Sequence, residues 1–132
     1  MSRLTMYVVG VGARQGASAA EVGALVDQAL ADARIPAHAV AHLATLEAKG
    51  TEAGIRTVAA DRGWPIVIWP AARLSQVLVP TPSALVGEVA GTASVAEAAA
   101  LLDASGRPTG TLIVPKRTSP TVTVAIAQHG GG

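Results

Sequence analysis

Ten Lys and Arg against nine Asp and Glu give this chain of 132 residues a formal charge of +1, which supplies no field for gripping nucleic acid or a membrane surface nonspecifically, so electrostatic recognition has to be local. Cysteine is absent, which excludes disulfides, thiolate metal sites and cysteine nucleophiles. Half the residues are apolar, with no Phe and only two Trp and one Tyr, so the core has to be made of small and branched aliphatics, as suits helices lying on a sheet.

One domain, 1–132, is expected from this length, with roughly two-thirds of the unfolded surface buried. The N-terminal Met1-Ser2-Arg3-Leu4-Thr5 enters a strand rather than a signal peptide, and no apolar run reaches the roughly 18 residues of a membrane span, so cytoplasm is the default expectation. Leu4 to Val9 is apolar with little alternation, as in a strand covered on both faces. It runs into Gly10-Val11-Gly12-Ala13-Arg14-Gln15-Gly16-Ala17-Ser18, where the glycines permit positive φ and close approach of a ligand to the main chain. Ser18-Ala19-Ala20-Glu21 has the form of a capping box, so a helix should open here with its free N–H groups facing the turn. Such a turn attracts anions, and Arg14 adds a full charge with a planar fork suited to carboxylate or phosphate. The spacing is one residue longer than the dinucleotide fingerprint, and the ribose-binding acid is missing, so no nucleotide cofactor is expected.

Val22, Leu25, Val26, Ala29 and Ala33 form one helical stripe, Pro36 closes the connection, and Val40 to Leu46 reads as a second, parallel strand. After a polar loop, Ile55, Val58 and Ala59 mark a helix ended by Gly63, and Trp64 to Pro70 reads as a third buried strand. Ala71 to Val79 is read as a short helix, Thr81-Pro82 as the cap of another that Gly91 stops, and Ser94-Val95-Ala96-Glu97 as a second capping box before an alanine-rich helix. Asp103 to Gly110 is a turn, Thr111 to Val114 a fourth strand, Pro115 to Pro120 a loop and Thr121 to Ala127 a fifth strand. Alternation in that last strand predicts an antiparallel edge, and Gln128 to Gly132 reads as a frayed tail.

The basic residues outside the helices then share one placement. Arg14 follows strand one, Lys49 strand two, and Lys116 with Arg117 strand four, all at the carboxyl edge of the sheet, where open α/β folds bind ligands. The ligand implied is anionic. Ser18 is read as a helix cap and not a nucleophile, and Trp64 and Trp69 as core residues. His38 and His42 have the spacing of a helical metal pair but flank Pro36 and a strand without a third ligand, so no metal site is expected.

The glycine turn, the Ala44-Thr45-Leu46-Glu47-Ala48-Lys49-Gly50-Thr51-Glu52 loop, Pro82-Ser83, Gly91-Thr92-Ala93 with Ser94-Val95-Ala96-Glu97-Ala98-Ala99-Ala100, Pro115-Lys116 and Thr121-Val122-Thr123-Val124-Ala125 together resemble the CobE and CbiG C-terminal domain family of cobalamin biosynthesis. The resemblance implies a three-layer α/β/α sandwich whose five-stranded sheet is mixed and mostly parallel. Its implied ligand is a corrin or precorrin intermediate, a flat tetrapyrrole fringed by acetate and propionate groups. The substrate-binding residues are then Gly10, Gly12, Arg14, Gly16, Ser18, Lys49 and Lys116. Position 13 departs, since Ala13 stands where relatives often have cysteine. The resemblance is to the stand-alone CobE form, without the further N-terminal sequence of the CbiG hydrolases. Two functions follow as alternatives: a binding or carrier protein for corrinoid intermediates, in contact with other cobalamin-pathway enzymes, or a cobalt-precorrin-5A hydrolase type of enzyme. The latter opens a lactone with release of acetaldehyde, and Lys49 or Glu52 would position or activate water.

Overall fold

The computed structural model describes residues 5–47, 52–77 and 92–130. In chain order they form β1 (Thr5–Ala13), α1 (Ala19–Asp32), β2 (Val40–Leu46), α2 (Ala53–Arg62), β3 (Ile66–Trp69), α3 (Ala71–Leu74), α4 (Thr92–Leu101), β4 (Thr111–Thr118) and β5 (Val122–Gly130). The helix expected after Thr81-Pro82 and the cationic Lys49 lie outside the described residues.

One sheet runs β3-β2-β1-β5-β4. β1, β2 and β3 pair in parallel, whereas β5 pairs antiparallel with both β1 and β4. The sheet is therefore mixed, with two parallel and two antiparallel junctions, and "mostly parallel" overstates it. Because β4 and β1 each oppose β5, the carboxyl ends of β1, β2, β3 and β4 still share one edge.

Side-chain alternation divides the core between two faces. Val9, Val11 and Ala13 of β1 and Val122, Val124 and Ile126 of β5 pack with the stripes of α1 and α2. Val8 and Ala44 on the other face meet Ala98, Ala99 and Leu102, while Ala125 and Ala127 meet Ala96 and Ala100 of α4. The first face carries the larger aliphatics, each worth roughly 1.5–3 kcal/mol when fully buried. On the second, the contact of Gly10, Ala125 and Ala127 with Ala96 and Ala100 is small against small. A Cβ at Gly10 would lie 2.0 Å from the Ala96 carbonyl oxygen and 2.8 Å from the Ala100 nitrogen, so only glycine lets α4 settle so close to β1.

This packing explains where the structure departs from expectation. β5 is an inner strand, not an edge: of the face expected to carry Thr121, Thr123 and Ala125, Ala125 packs with Ala127 against the alanine helix, and Thr123 is buried. It also continues through Gly130 instead of fraying. His129 is buried there; its Nε2 donates to the Ala100 carbonyl (2.8 Å), and its Nδ1 lies 3.1 Å from Thr109 Oγ1, which donates to Asp103 Oδ2 (3.0 Å). β3 is an edge strand whose Ile68 is exposed, and its flanking Pro65 and Pro70 withhold N–H groups from further pairing. Trp64 is core, with Nε1 donating to the Ala37 carbonyl at 3.0 Å. β4 extends through Pro115-Lys116-Arg117-Thr118, a stretch expected to be loop, because its register shifts absorb the proline. α4 starts at Thr92, which places Ser94 inside the helix and not at its cap. No helix of the described residues is long and apolar enough to cross a membrane.

Two glycine substitutions should separate crowding from conformation. Gly10→Ala should destabilise the protein by about 2–3 kcal/mol through overpacking of backbone on backbone. Gly23→Ala, in α1, meets no backbone, only the Arg62 guanidinium at 3.3 Å and the Val58 side chain at an ordinary 3.6 Å, and should be neutral or stabilising, by up to about 1 kcal/mol of helix propensity. Denaturant melts of the two variants check both; equal effects would contradict the packing described.

Candidate functional site

The glycine turn begins where β1 ends. The Ala17 N–H donates to the Arg14 carbonyl at 3.1 Å, closing a β-turn with Gly16 at φ +83°, a conformation that disfavours any Cβ. A Cβ there would point into open space, so the main chain at Gly16 is approachable. Gly10 and Gly12 do not share this role, since both lie within β1 and neither has positive φ. Gly12 is buried opposite Thr123, and Gly10 serves the approach of α4.

Two helix N-termini converge on this turn. Ser18 caps α1, its Oγ accepting the Glu21 N–H at 3.0 Å. α2 starts beside it, so close that a Cβ on Gly54 would be 2.5 Å from the Ala17 carbonyl oxygen. Glu52, the residue before α2, accepts the Gly16 N–H with Oε1 at 2.9 Å. The positive ends of two helices thus flank the turn, and Glu52 braces it from the α2 side. Thr45 braces it from beneath, its buried hydroxyl donating to the Val11 carbonyl at 2.7 Å.

Glu21 completes only half of its capping box. Its carboxylate, instead of returning to the Ser18 N–H, accepts from the Thr121 N–H (2.9 Å), the Thr121 hydroxyl (2.7 Å) and the Ser119 hydroxyl. These bonds, the Ser119 hydroxyl foremost, hold the carboxyl below its usual range. With the Arg14 N–H donating to the Thr121 carbonyl at 2.8 Å, the β4–β5 connection is clasped to the glycine turn.

Arg14 stands exposed on the turn, and among the described residues its guanidinium has no ion pair or hydrogen bond. Lys116 is half-buried inside β4, two strands from β1, and its neighbour Arg117 is committed to Asp32 of α1. The structure therefore brings together Arg14, Gly16, Ser18 and Glu52, places Lys116 further along the same sheet, and directs Arg117 elsewhere. Arg56 went unnoticed in the sequence. It lies on the outer face of α2, unpaired among the described residues, in a shallow groove of about 610 Å³ that begins at Ala53 and runs past Thr57 and Ala60 to Trp64 and Ile66. Its position one helical turn after Glu52 was the available signal. His38 is exposed and His42 buried in β2, where burial lowers the imidazole pKa, so the pair shares no helix face.

Residues 7–127 match the family described as "Cobalamin synthesis G C-terminus". The chain is 32% identical over 127 residues to cobalt-precorrin-5A hydrolase of Priestia megaterium, covering 96% of this chain but 34% of that protein, about a third of its length. It is 36% identical over 122 residues to Protein CobE of Sinorhizobium sp, covering 91% of this chain and 78% of that one. Among solved structures, that of CobE, a protein from the cobalamin biosynthetic pathway, superposes with a TM-score of 0.82 at 28% identity, covering 97% of this chain and 93% of that one.

The Glu21 clasp generates a pH dependence. A carboxyl whose folded pKa lies below its ordinary value of 4.5 stabilises the fold above that value, and the contribution is lost as pH falls through the lower, folded pKa. Glu21→Gln should therefore lower the melting temperature near neutrality, and its difference from wild type should shrink as pH falls below about 4.5 and through the lower, folded pKa. A difference independent of pH would show that the carboxylate charge does not hold the clasp.

Proposed function

Because the chain belongs to the Cobalamin synthesis G C-terminus family and is a cobalamin biosynthesis protein, we propose that it binds a carboxylate-rich corrin or precorrin intermediate at the carboxyl edge of its sheet. The observation that carries this reading is the uncommitted guanidinium of Arg14 above a turn flanked by two helix N-termini. An acetate or propionate group of the ring engages that planar fork through paired, charge-assisted hydrogen bonds. The open main chain at Gly16 lets the ring edge come close, and Ser18 and Glu52 keep the turn in shape for it. Lys49 supplies the second cation and Lys116 a third, so several acid groups around one ring are met at once. An exposed site of this kind suits a carrier that receives an intermediate from one pathway enzyme and presents it to the next.

Identity to the hydrolase across nearly the whole chain favours a second reading, in which this unit takes part in lactone opening. Glu52 would then activate water with the carboxylate oxygen that the Gly16 amide does not occupy. Incubation of the chain alone with the lactone substrate tests it: acetaldehyde release supports the enzyme, and no release under conditions where a full-length hydrolase works removes it.

Titration with a corrin intermediate, followed by its visible spectrum, tests the binding reading. A shift should appear with the wild type, Arg14→Ala should weaken it by about tenfold, and added salt should weaken it further because the contacts are exposed. Unchanged affinity in Arg14→Ala at low salt would defeat the proposed site.

A further inference from the structure

Strand β4 departs from regular pairing twice, first at Ile113 and again near its middle, where an extra residue is inserted. Val114 faces Ile126 and Arg117 faces Val124, so Pro115 and Lys116 together stand opposite Ala125. This is a β-bulge, and its effect shows in the side chains on either side of it. Val114 packs in the core beneath α1, and Arg117 pairs with Asp32 of the same helix. Residues three apart in an unbroken strand point to opposite faces. The bulge therefore turns Arg117 to the α1 face and keeps its neighbour Lys116 off it.

A specific group stabilises this irregularity. Pro115 has no N–H to give the ladder. The Lys116 N–H donates to Glu97 Oε2 at 3.0 Å, and Glu97 belongs to α4, across the sheet from α1. Glu97 is fully buried, an environment in which a carboxylate has to be met by donors.

We propose that Glu97 is a positioning residue for ligand binding: by capturing the Lys116 amide it fixes the β4 register, and the register decides which of two adjacent cations is presented to the intermediate. The inference rests on the corrin-binding reading. Without the acceptor, regular pairing of β4 with β5 becomes competitive, and a one-residue slip exchanges the faces of Lys116 and Arg117. The compact ammonium would then turn toward Asp32, and the planar guanidinium would replace it opposite α1. These two cations are not equivalent toward a carboxylate.

A double-mutant cycle in the visible titration tests this. Glu97→Gln keeps an acceptor oxygen and should bind within about threefold of wild type, whereas Glu97→Leu should bind about tenfold more weakly. In a Lys116→Ala background, Glu97→Leu should cause no further loss, because its effect passes through Lys116. Additive losses in folded variants, or wild-type affinity in folded Glu97→Leu, overturn the inference. If Glu97→Leu does not fold, Glu97→Asp, one methylene shorter, is judged by the same criteria. A wild-type protein that gives no spectral shift removes the corrin reading instead. The register claim is then decided by hydrogen exchange: the Lys116 amide should exchange about tenfold faster in the Leu or Asp variant, and unchanged protection overturns it.

Discussion

A helix lies this close to a sheet only where both surfaces are stripped to small side chains, and the contact of Gly10 with the backbone of α4 is that constraint in its sharpest form. Because α4 sits down on β1 and β5, these two inner strands are covered on both faces. The same seating brings the Ala100 carbonyl to His129 and the Glu97 carboxylate to Lys116. The opposite face tolerates more variation in shape, since Val, Leu and Ile side chains fill the space between sheet and helices there. Position along the α4 face is set by steric exclusion, and cohesion comes mainly from the α1 and α2 face.

Acidic residues do a second kind of ordering. Of nine Asp and Glu in the chain, Glu21, Glu52, Glu97 and Asp103 each accept a main-chain N–H, from Thr121, Gly16, Lys116, and Ser105 with Arg107 respectively. Asp103 accepts in addition from the Ser105 hydroxyl, the chief reason its carboxyl is held well below the ordinary range. Irregular connections are thus tied down by anions that would otherwise be available to neutralise cations. Near-zero net charge then coexists with guanidinium groups, those of Arg14 and Arg56, that have no internal counter-ion among the described residues.

Much of this was legible in the sequence. The Val22-Leu25-Val26-Ala29 stripe, the limits of β2 and the left-handed Gly63 at the end of α2 follow from local periodicity and backbone chemistry, and the structure has them as read. The three layers and the family also follow from the motifs in order. What could not be read depends on tertiary partners. The alternation of β5 looks like that of an edge strand until an alanine helix is laid over Ala125 and Ala127, and Pro115-Lys116 looks like loop until a buried carboxylate from another layer receives the amide. The three glycines read as one motif, yet Gly10 answers to crowding and Gly16 to dihedral angle, a distinction that residue spacing does not carry.

The pairing of Thr5 with Gly130 has a consequence for how such a unit can be used. The two ends of the described fold leave side by side, at the sheet margin opposite the Arg14 turn, so a longer polypeptide could thread through this module as through a single doorway. Attached segments would then hang from the rear of the molecule, and the ligand-facing front would be free to meet whatever the rest of that polypeptide brings round to it.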